Sequence, residues 1–341
     1  MRRLAFALIL ALLPLPALAA QTLADDTGRT WQVPDVAERV MAAGAPAQIM
    51  LYTLAPERMV GWNHVPSAAA RAYMPDALEP TTVIRALPER DSDAYDAPIL
   101  ALRPQVIIDY GDMKQDYIDL GNAISARLGI PYPLFSGRLE KVPATYRTLG
   151  RLLGVSERGE HLAAVTGDIL MRYKNVLAAD GDAPRVYLAI SEDGMLPGFA
   201  NESWGEVAAF LGAENVFGTV DFEHYTPVSF EDIKARDPDV ILALAPGFVE
   251  TAGQDARWQA LRAVKAGRVY AGPRLPYDWV ARPPSVNRIL GVVWARYVLA
   301  GQPFDDVFYQ DIRTLFKELY HWDIDRAGID HLLAPAPAEG Q

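Results

Sequence analysis

The chain has no cysteine among its 341 residues. That excludes disulfides, thiolate metal ligands, thiol catalysis and a lipid-bearing cysteine at a processed N-terminus. It has no GxSxG nucleophile elbow, no P-loop and no GxGxxG following a strand, so acyl transfer and nucleotide chemistry find no motif. Histidine is scarce, five in all, and forms no HxH or HExxH pair that would preform a metal cage. No apolar run approaches the ~18 residues a membrane span needs. Positive charge is in the minority, with 32 Lys and Arg against 43 Asp and Glu and a net charge of −11. A balance that acidic argues against nucleic acid or an anionic membrane surface as partner.

What is present begins with an export address. Arg2 and Arg3 precede an apolar stretch over 4–13 and a small-residue site at Ala17-Leu18-Ala19, the pattern of a secretory signal peptide. Residues 1–19 are therefore expected to be removed, leaving a protein free in an exported compartment, most simply a bacterial periplasm. With 50% hydrophobic residues and 26 prolines, the remainder reads as a globular protein of two domains.

The stretch 142–179 organises the rest. Over 156–179 the apolar residues Leu162, Val165, Ile169, Tyr173 and Val176 fall three or four apart on one helical stripe. Ser156 suits an N-cap and Asp180-Gly181 a stop. Before it, 22–33 reads as a hairpin turning at Asp26-Thr27-Gly28-Arg29. Strands follow at 40–43, 59–62, 106–109 and 130–135, with helices at 47–54, 96–102 and 117–128. After it come strands at 185–190, 240–244 and 268–271, and helices at 205–211, 230–235, 284–299 and 305–320, then a frayed tail over 333–341. Strand–helix alternation implies parallel strands with right-handed crossovers. Leu102-Arg103-Pro104-Gln105-Val106-Ile107-Ile108 is echoed by Arg236-Asp237-Pro238-Asp239-Val240-Ile241-Leu242: a proline stops a helix, then a buried β-branched run begins. The expectation is an α/β protein of two similar lobes with mainly parallel sheets, at 20–141 and 181–341. One long helical spine at 142–180 joins them, with a ligand cleft between.

Four segments carry a family resemblance: DDTGRTWQVPDVAERVMAAGAP from Asp25, LRPQVIIDYG from Leu102, WGEVAAFLGAENVFG from Trp204 and WVARPPSVNRILGVVWARYVLAGQPF from Trp279. In this order they resemble the periplasmic solute-binding proteins of ABC importers, in the helical-spine group that carries ferric siderophores, haem, cobalamin and some metal or oxyanion cargo. The resemblance implies ligand held between lobes, small closure motions and delivery to a membrane permease. It also implies a permease-docking glutamate on each lobe. Glu206 matches the second-lobe position, whereas the first-lobe helix reads Ala47-Gln48-Ile49-Met50-Leu51-Tyr52 and has no acidic residue.

Loops at the carboxyl ends of parallel strands form the ligand crevice of such lobes. That rule selects His64, Arg90, Tyr110, Asp112 and Arg138 in the first lobe. In the second it selects Trp204, Arg274, Tyr277, Trp279 and Arg282. Arg274 to Arg282 places two guanidinium groups and two aromatic rings within nine residues, suited to an anionic, flat organic chelate. A proline-braced loop whose aromatics pack under the final helices is the competing reading. His64 and His224 are the histidines placed to reach a metal, and each also reads as a hydrogen-bonded structural residue. The expected cargo is a ferric siderophore-like chelate containing Fe(III), taken up by a monomer with no permanent cofactor and no enzymatic activity. A molybdate-type oxyanion, haem or cobalamin is the alternative cargo, and a periplasmic enzyme or an adaptor the alternative class.

Overall fold

A computed structural model describes residues 20–75, 82–84, 96–179, 181, 183–220, 228–245 and 247–334. The signal-like segment 1–19, Arg90, His224 and the tail beyond 334 lie outside the described residues. Among the described residues no helix is long and apolar enough to cross a membrane.

The chain opens with an antiparallel hairpin of β1 (Ala20–Ala24) and β2 (Thr30–Pro34). Gly28 closes it at φ +83°, where a side chain would be strained. Asp25 pins the hairpin to the first lobe. Its carboxylate accepts from the Thr27 hydroxyl, from the backbone N–H groups of Thr27 and Arg29, from the Trp31 indole and from the Leu134 N–H, and pairs with Arg29 at 2.8 Å. Burial alone would raise the Asp25 carboxyl, but these bonds and the Arg29 charge outweigh it and hold it below its ordinary value of 3.8. A lowered carboxyl stabilises the fold above its unfolded value and loses that contribution as pH falls below about 4. Asp25→Ala is expected to cost about 2 kcal/mol in urea unfolding at pH 7, with the difference from the parent shrinking toward pH 3. A pH-independent difference would show that the charge contributes nothing.

The first lobe is a three-stranded parallel sheet in the order β3 (Val40–Ala42), β4 (Val106–Gly111), β5 (Leu134–Ser136). Helices α1 (Ala45–Leu54), α2 (Ala68–Arg71) and α3 (Asp96–Ala101) lie between β3 and β4, and α4 (Gln115–Leu128) between β4 and β5. The strand expected over 59–62 is absent; Met59 and Trp62 make isolated bridges to Val40 and Val83. β3 is only three residues long and has one backbone bond to offer there, from Val60 N–H to the Val40 carbonyl at 2.9 Å. β5 starts late for a different reason. Pro131 and Pro133 have no N–H, yet their carbonyls still accept from Ile107 and Asp109, so the register continues before the ladder formally begins.

The spine is a helix pair, α5 (Val142–Leu152) and α6 (Ser156–Tyr173), reversing at Gly154 with φ +71°. The two pack tightly because both lack side chains at the crossing. A Cβ on Gly159 would lie 2.7 Å from the Tyr146 carbonyl oxygen and 2.9 Å from Gly150. At 18 residues α6 spans about 27 Å. It stops at Tyr173, short of the expected 179, because the next backbone donors find partners elsewhere: Asn175 N–H and Leu177 N–H bond the carbonyls of Phe210 and Leu211 in the second lobe.

The second lobe has a four-stranded parallel sheet in the order β7 (Glu214–Asn215), β6 (Arg185–Ala189), β8 (Val240–Ala243), β9 (Val269–Ala271). Its helices are α7 (Glu206–Phe210), α8 (Phe230–Arg236), α9 (Phe248–Gln254), α10 (Ala256–Gln259) and α11 (Arg262–Lys265). The chain ends with α12 (Arg288–Ala300), α13 (Asp306–Tyr320) and α14 (Arg326–Leu333). Within 181–341, α13 packs on α12 and also back on α1 of the first lobe. Its stripe Phe308, Ile312, Leu315, Phe316, Leu319 is buried, and Arg158 of the spine pairs with Glu318 at 2.7 Å. One apolar core thus runs from Val40 and Ile108 through Leu162 and Ile169 to Leu188, Val240 and Leu315.

Candidate functional site

The parallel strands of both lobes point their carboxyl ends at a common crevice, and a cavity of about 600 Å³ lies there. From the first lobe, the turn after β4 contributes Asp112 and Lys114, the end of β5 contributes Ser136, and the turn after it Arg138. These two turns are laced together by Gly137 N–H donating to the Gly111 carbonyl at 2.8 Å. A Cβ on Gly137 would lie 3.0 Å from the Gly111 Cα, so a side chain there would press the two turns apart. From the second lobe, Ile190 and Leu196 after β6 supply apolar wall, and Asn201, Glu202 and Trp204 precede α7.

The structure gathers some of the expected residues and separates others. Asp112, Arg138 and Trp204 line the cavity together. Arg282 stands behind it, its guanidinium stacked 3.9 Å over the Trp204 ring, so indole and cation form one surface. Tyr110 is buried beneath the floor, and its hydroxyl has no hydrogen-bond partner. Desolvation pushes that phenol far above its ordinary value. His64 is exposed away from the lining; its backbone N–H is held by the Gln48 side chain.

The aromatic loop takes the packing reading. Trp279 is fully buried, donates its indole N–H to the Leu275 carbonyl at 2.8 Å and meets Phe316 edge-on. Tyr277 is buried beside Tyr320, and Arg274 is exposed at the loop's surface. The apolar faces of α12 and α13 needed covering, and these rings cover them. Glu206 also needs correction as a surface docking residue: it is 2% exposed. Its Oε1 accepts from Leu139 N–H at 2.9 Å and meets Arg138 at 3.0 Å, while Oε2 pairs with Arg288 at 2.7 Å.

Sequence reasoning did not select Lys114, Glu202, Ser136 or Arg288. Arg288 did carry a signal, a cation directly ahead of the apolar run Ile289 to Ala295, where a buried charge requires a partner. Glu202 is half-buried; desolvation raises its carboxyl and Asp112 adds to that, while the Phe199 N–H and Lys114 draw it down. Among the described residues no group of three or more His, Asp or Glu is arranged to hold a metal ion. The lining mixes the cations Lys114, Arg138 and Arg288 and the carboxylates Asp112, Glu202 and Glu206 with the Trp204 ring and an apolar wall, a set that can hold a small organic ligand by charge and by stacking.

Comparison with known proteins agrees with this architecture. No curated protein sequence matches the chain. Among solved structures, an ABC transporter solute binding protein from Sulfurospirillum deleyianum DSM 6946 superposes at a TM-score of 0.81 with 23% identity, covering 91% of this chain and 98% of that one. A Haemophilus influenzae molybdate periplasmic binding protein, bound to molybdate, gives 0.66 at 18% identity over 89% of this chain and 99% of its own. A periplasmic vitamin B12 binding protein of Vibrio cholerae gives 0.56 at 22% identity over 77% and 97%. The family model described as periplasmic binding protein matches residues 40–275. With more than half its length inside that match, the chain belongs to the periplasmic binding protein family and has the two-lobed fold of the ABC-transporter solute-binding proteins.

Proposed function

We propose that the protein captures Fe(III) as an anionic organic chelate of siderophore type, in the bacterial periplasm, and delivers it as a monomer to the permease of an ABC importer. The observation that carries this reading is the cavity itself: about 600 Å³, lined by Arg138 and by Trp204, whose ring stacks on the Arg282 guanidinium. That volume falls within the ~300–1,000 Å³ of organic-ligand sites and far exceeds what a four-oxygen oxyanion fills. A chelate supplies its own donor atoms to iron, so the protein needs only to recognise the chelate's charge and flat faces. Structures of this fold bind molybdate in one case and vitamin B12 in another, so the cargo is a property of the cleft rather than of the fold.

The test is a tryptophan-fluorescence titration of the purified protein with ferric hydroxamate and catecholate chelates, haem, cobalamin and molybdate in parallel. Saturable one-to-one quenching by a ferric chelate is expected, with the ligand recovered unchanged. Arg138→Ala should weaken that binding about tenfold or more, the scale of one lost charge-assisted hydrogen bond. Trp204→Phe should remove most of the quench. Saturation by molybdate, haem or cobalamin alone, or by none of the five, would overturn the proposal.

A further inference from the structure

Arg288, the first residue of α12, is 1% exposed, and its guanidinium is shared between the lobes. Nη1 donates to the Ser203 carbonyl and to Glu206 Oε2, each at 2.7 Å, on the second-lobe side. Nη2 donates at 2.6 Å to the Gly137 carbonyl, in the turn that leaves the first-lobe sheet. Glu206 makes the reverse reach, accepting from the Leu139 N–H and from Arg138 of the first lobe. Ser285, three residues before Arg288, adds a further tie through its hydroxyl to the Pro46 carbonyl of α1 at 2.7 Å. The Arg288–Glu206 cluster forms part of the cavity wall, of which Gly137, Arg138, Ser203, Glu206 and Arg288 are lining residues.

We propose that Glu206 and Arg288 form an interlobe latch that sets the separation of the lobes before any ligand enters and aims Arg138 into the cleft. Buried, charge-assisted bonds fix geometry more tightly than exposed pairs do. One carboxylate faces two guanidinium groups, so the cluster retains one positive charge, and the side chain that carries it outward is Arg138, 54% exposed at the cavity wall. Glu206 is thereby a positioning residue for Arg138. This second role rests on the anionic-ligand reading above; the latch itself does not.

The absence of cysteine permits a direct test. Spin labels at Ala126→Cys on exposed α4 and Ala256→Cys on exposed α10 report the distance between the lobes without any ligand. The parent should give one narrow distance distribution. Because Glu206→Gln leaves a buried guanidinium without its acid and can fail to fold, the double variant Glu206→Met/Arg288→Leu is measured beside it, as it removes both charges at once. A folded double variant with a broadened or lengthened distribution is the expected result. A distribution unchanged from the parent would overturn the latch. The positioning role is read separately, with a ferric hydroxamate as probe. Glu206→Gln and Arg138→Ala should each raise its Kd about tenfold or more, and combining them should add little. Additive losses would overturn the positioning role. A parent that binds no ferric chelate defeats the cargo reading, and the label distances still decide the latch.

Discussion

Glu206→Ala is expected to lower the unfolding free energy by about 3–5 kcal/mol in urea at neutral pH, among the largest single-site effects in the chain. The reason is the asymmetry between making and breaking a buried pair. Arg288 and Glu206 have side chains 1% and 3% exposed, so removing the carboxylate leaves a guanidinium out of water with only carbonyls for partners. Leu139 N–H and Arg138 Nε lose their acceptor in the same step. Replacing both charges, as in Glu206→Met/Arg288→Leu, should recover much of that loss, because no buried charge then stands alone. Buried pairs are little screened, so the effect should persist in ~1 M NaCl, whereas the exposed Arg147–Glu160 pair should contribute little at any salt. A loss below about 1 kcal/mol for Glu206→Ala would show that water reaches the pair.

Gly291→Ala should be comparably damaging, although alanine normally improves a helix by about 1 kcal/mol. Gly291 lies in α12 where the helix touches the backbone of the 273–284 loop. A Cβ there would run into the Trp279 carbonyl oxygen, with its carbonyl carbon at 2.8 Å and Val280 Cα at 3.4 Å. That backbone has nowhere to go. Trp279 N–H is bonded to the Pro273 carbonyl at 2.9 Å, and the indole is fully buried and anchored to Leu275. Overpacking against fixed backbone outweighs the propensity gain, for a net loss of about 2 kcal/mol or more in thermal unfolding. It should also weaken ligand binding, since α12 carries Arg288 to the cleft floor. Gly253→Ala in α9 is the control: nothing lies within 4 Å of its added Cβ, so the same change should be neutral or stabilising by up to about 1 kcal/mol. A parent-like melting temperature for Gly291→Ala would show that the loop yields.

The sequence by itself determined the α/β class, the two parallel sheets and the helices that separate them. The runs Val106-Ile107-Ile108 and Val240-Ile241-Leu242 became the central strands because a β-branched run behind a proline has no comparable alternative. It also selected Asp112, Arg138 and Trp204, which share the lining of one cavity, since strand ends mark the crevice wherever strands are parallel. What it did not determine was which surfaces would be covered. Tyr277 and Trp279 have the composition of a ligand loop, and only the return of α12 and α13 over them made them core. Glu206 has the character of an exposed helix-start acid until Arg288, 82 positions away in sequence, meets it beneath the cleft. The spine helix stopped early because Phe210 and Leu211 offered carbonyls to Asn175 and Leu177, partners no local pattern encodes. Periodicity reports how a segment satisfies its own backbone and which face is apolar; the identity of what packs against that face is a long-range fact, and the tertiary structure alone supplied it.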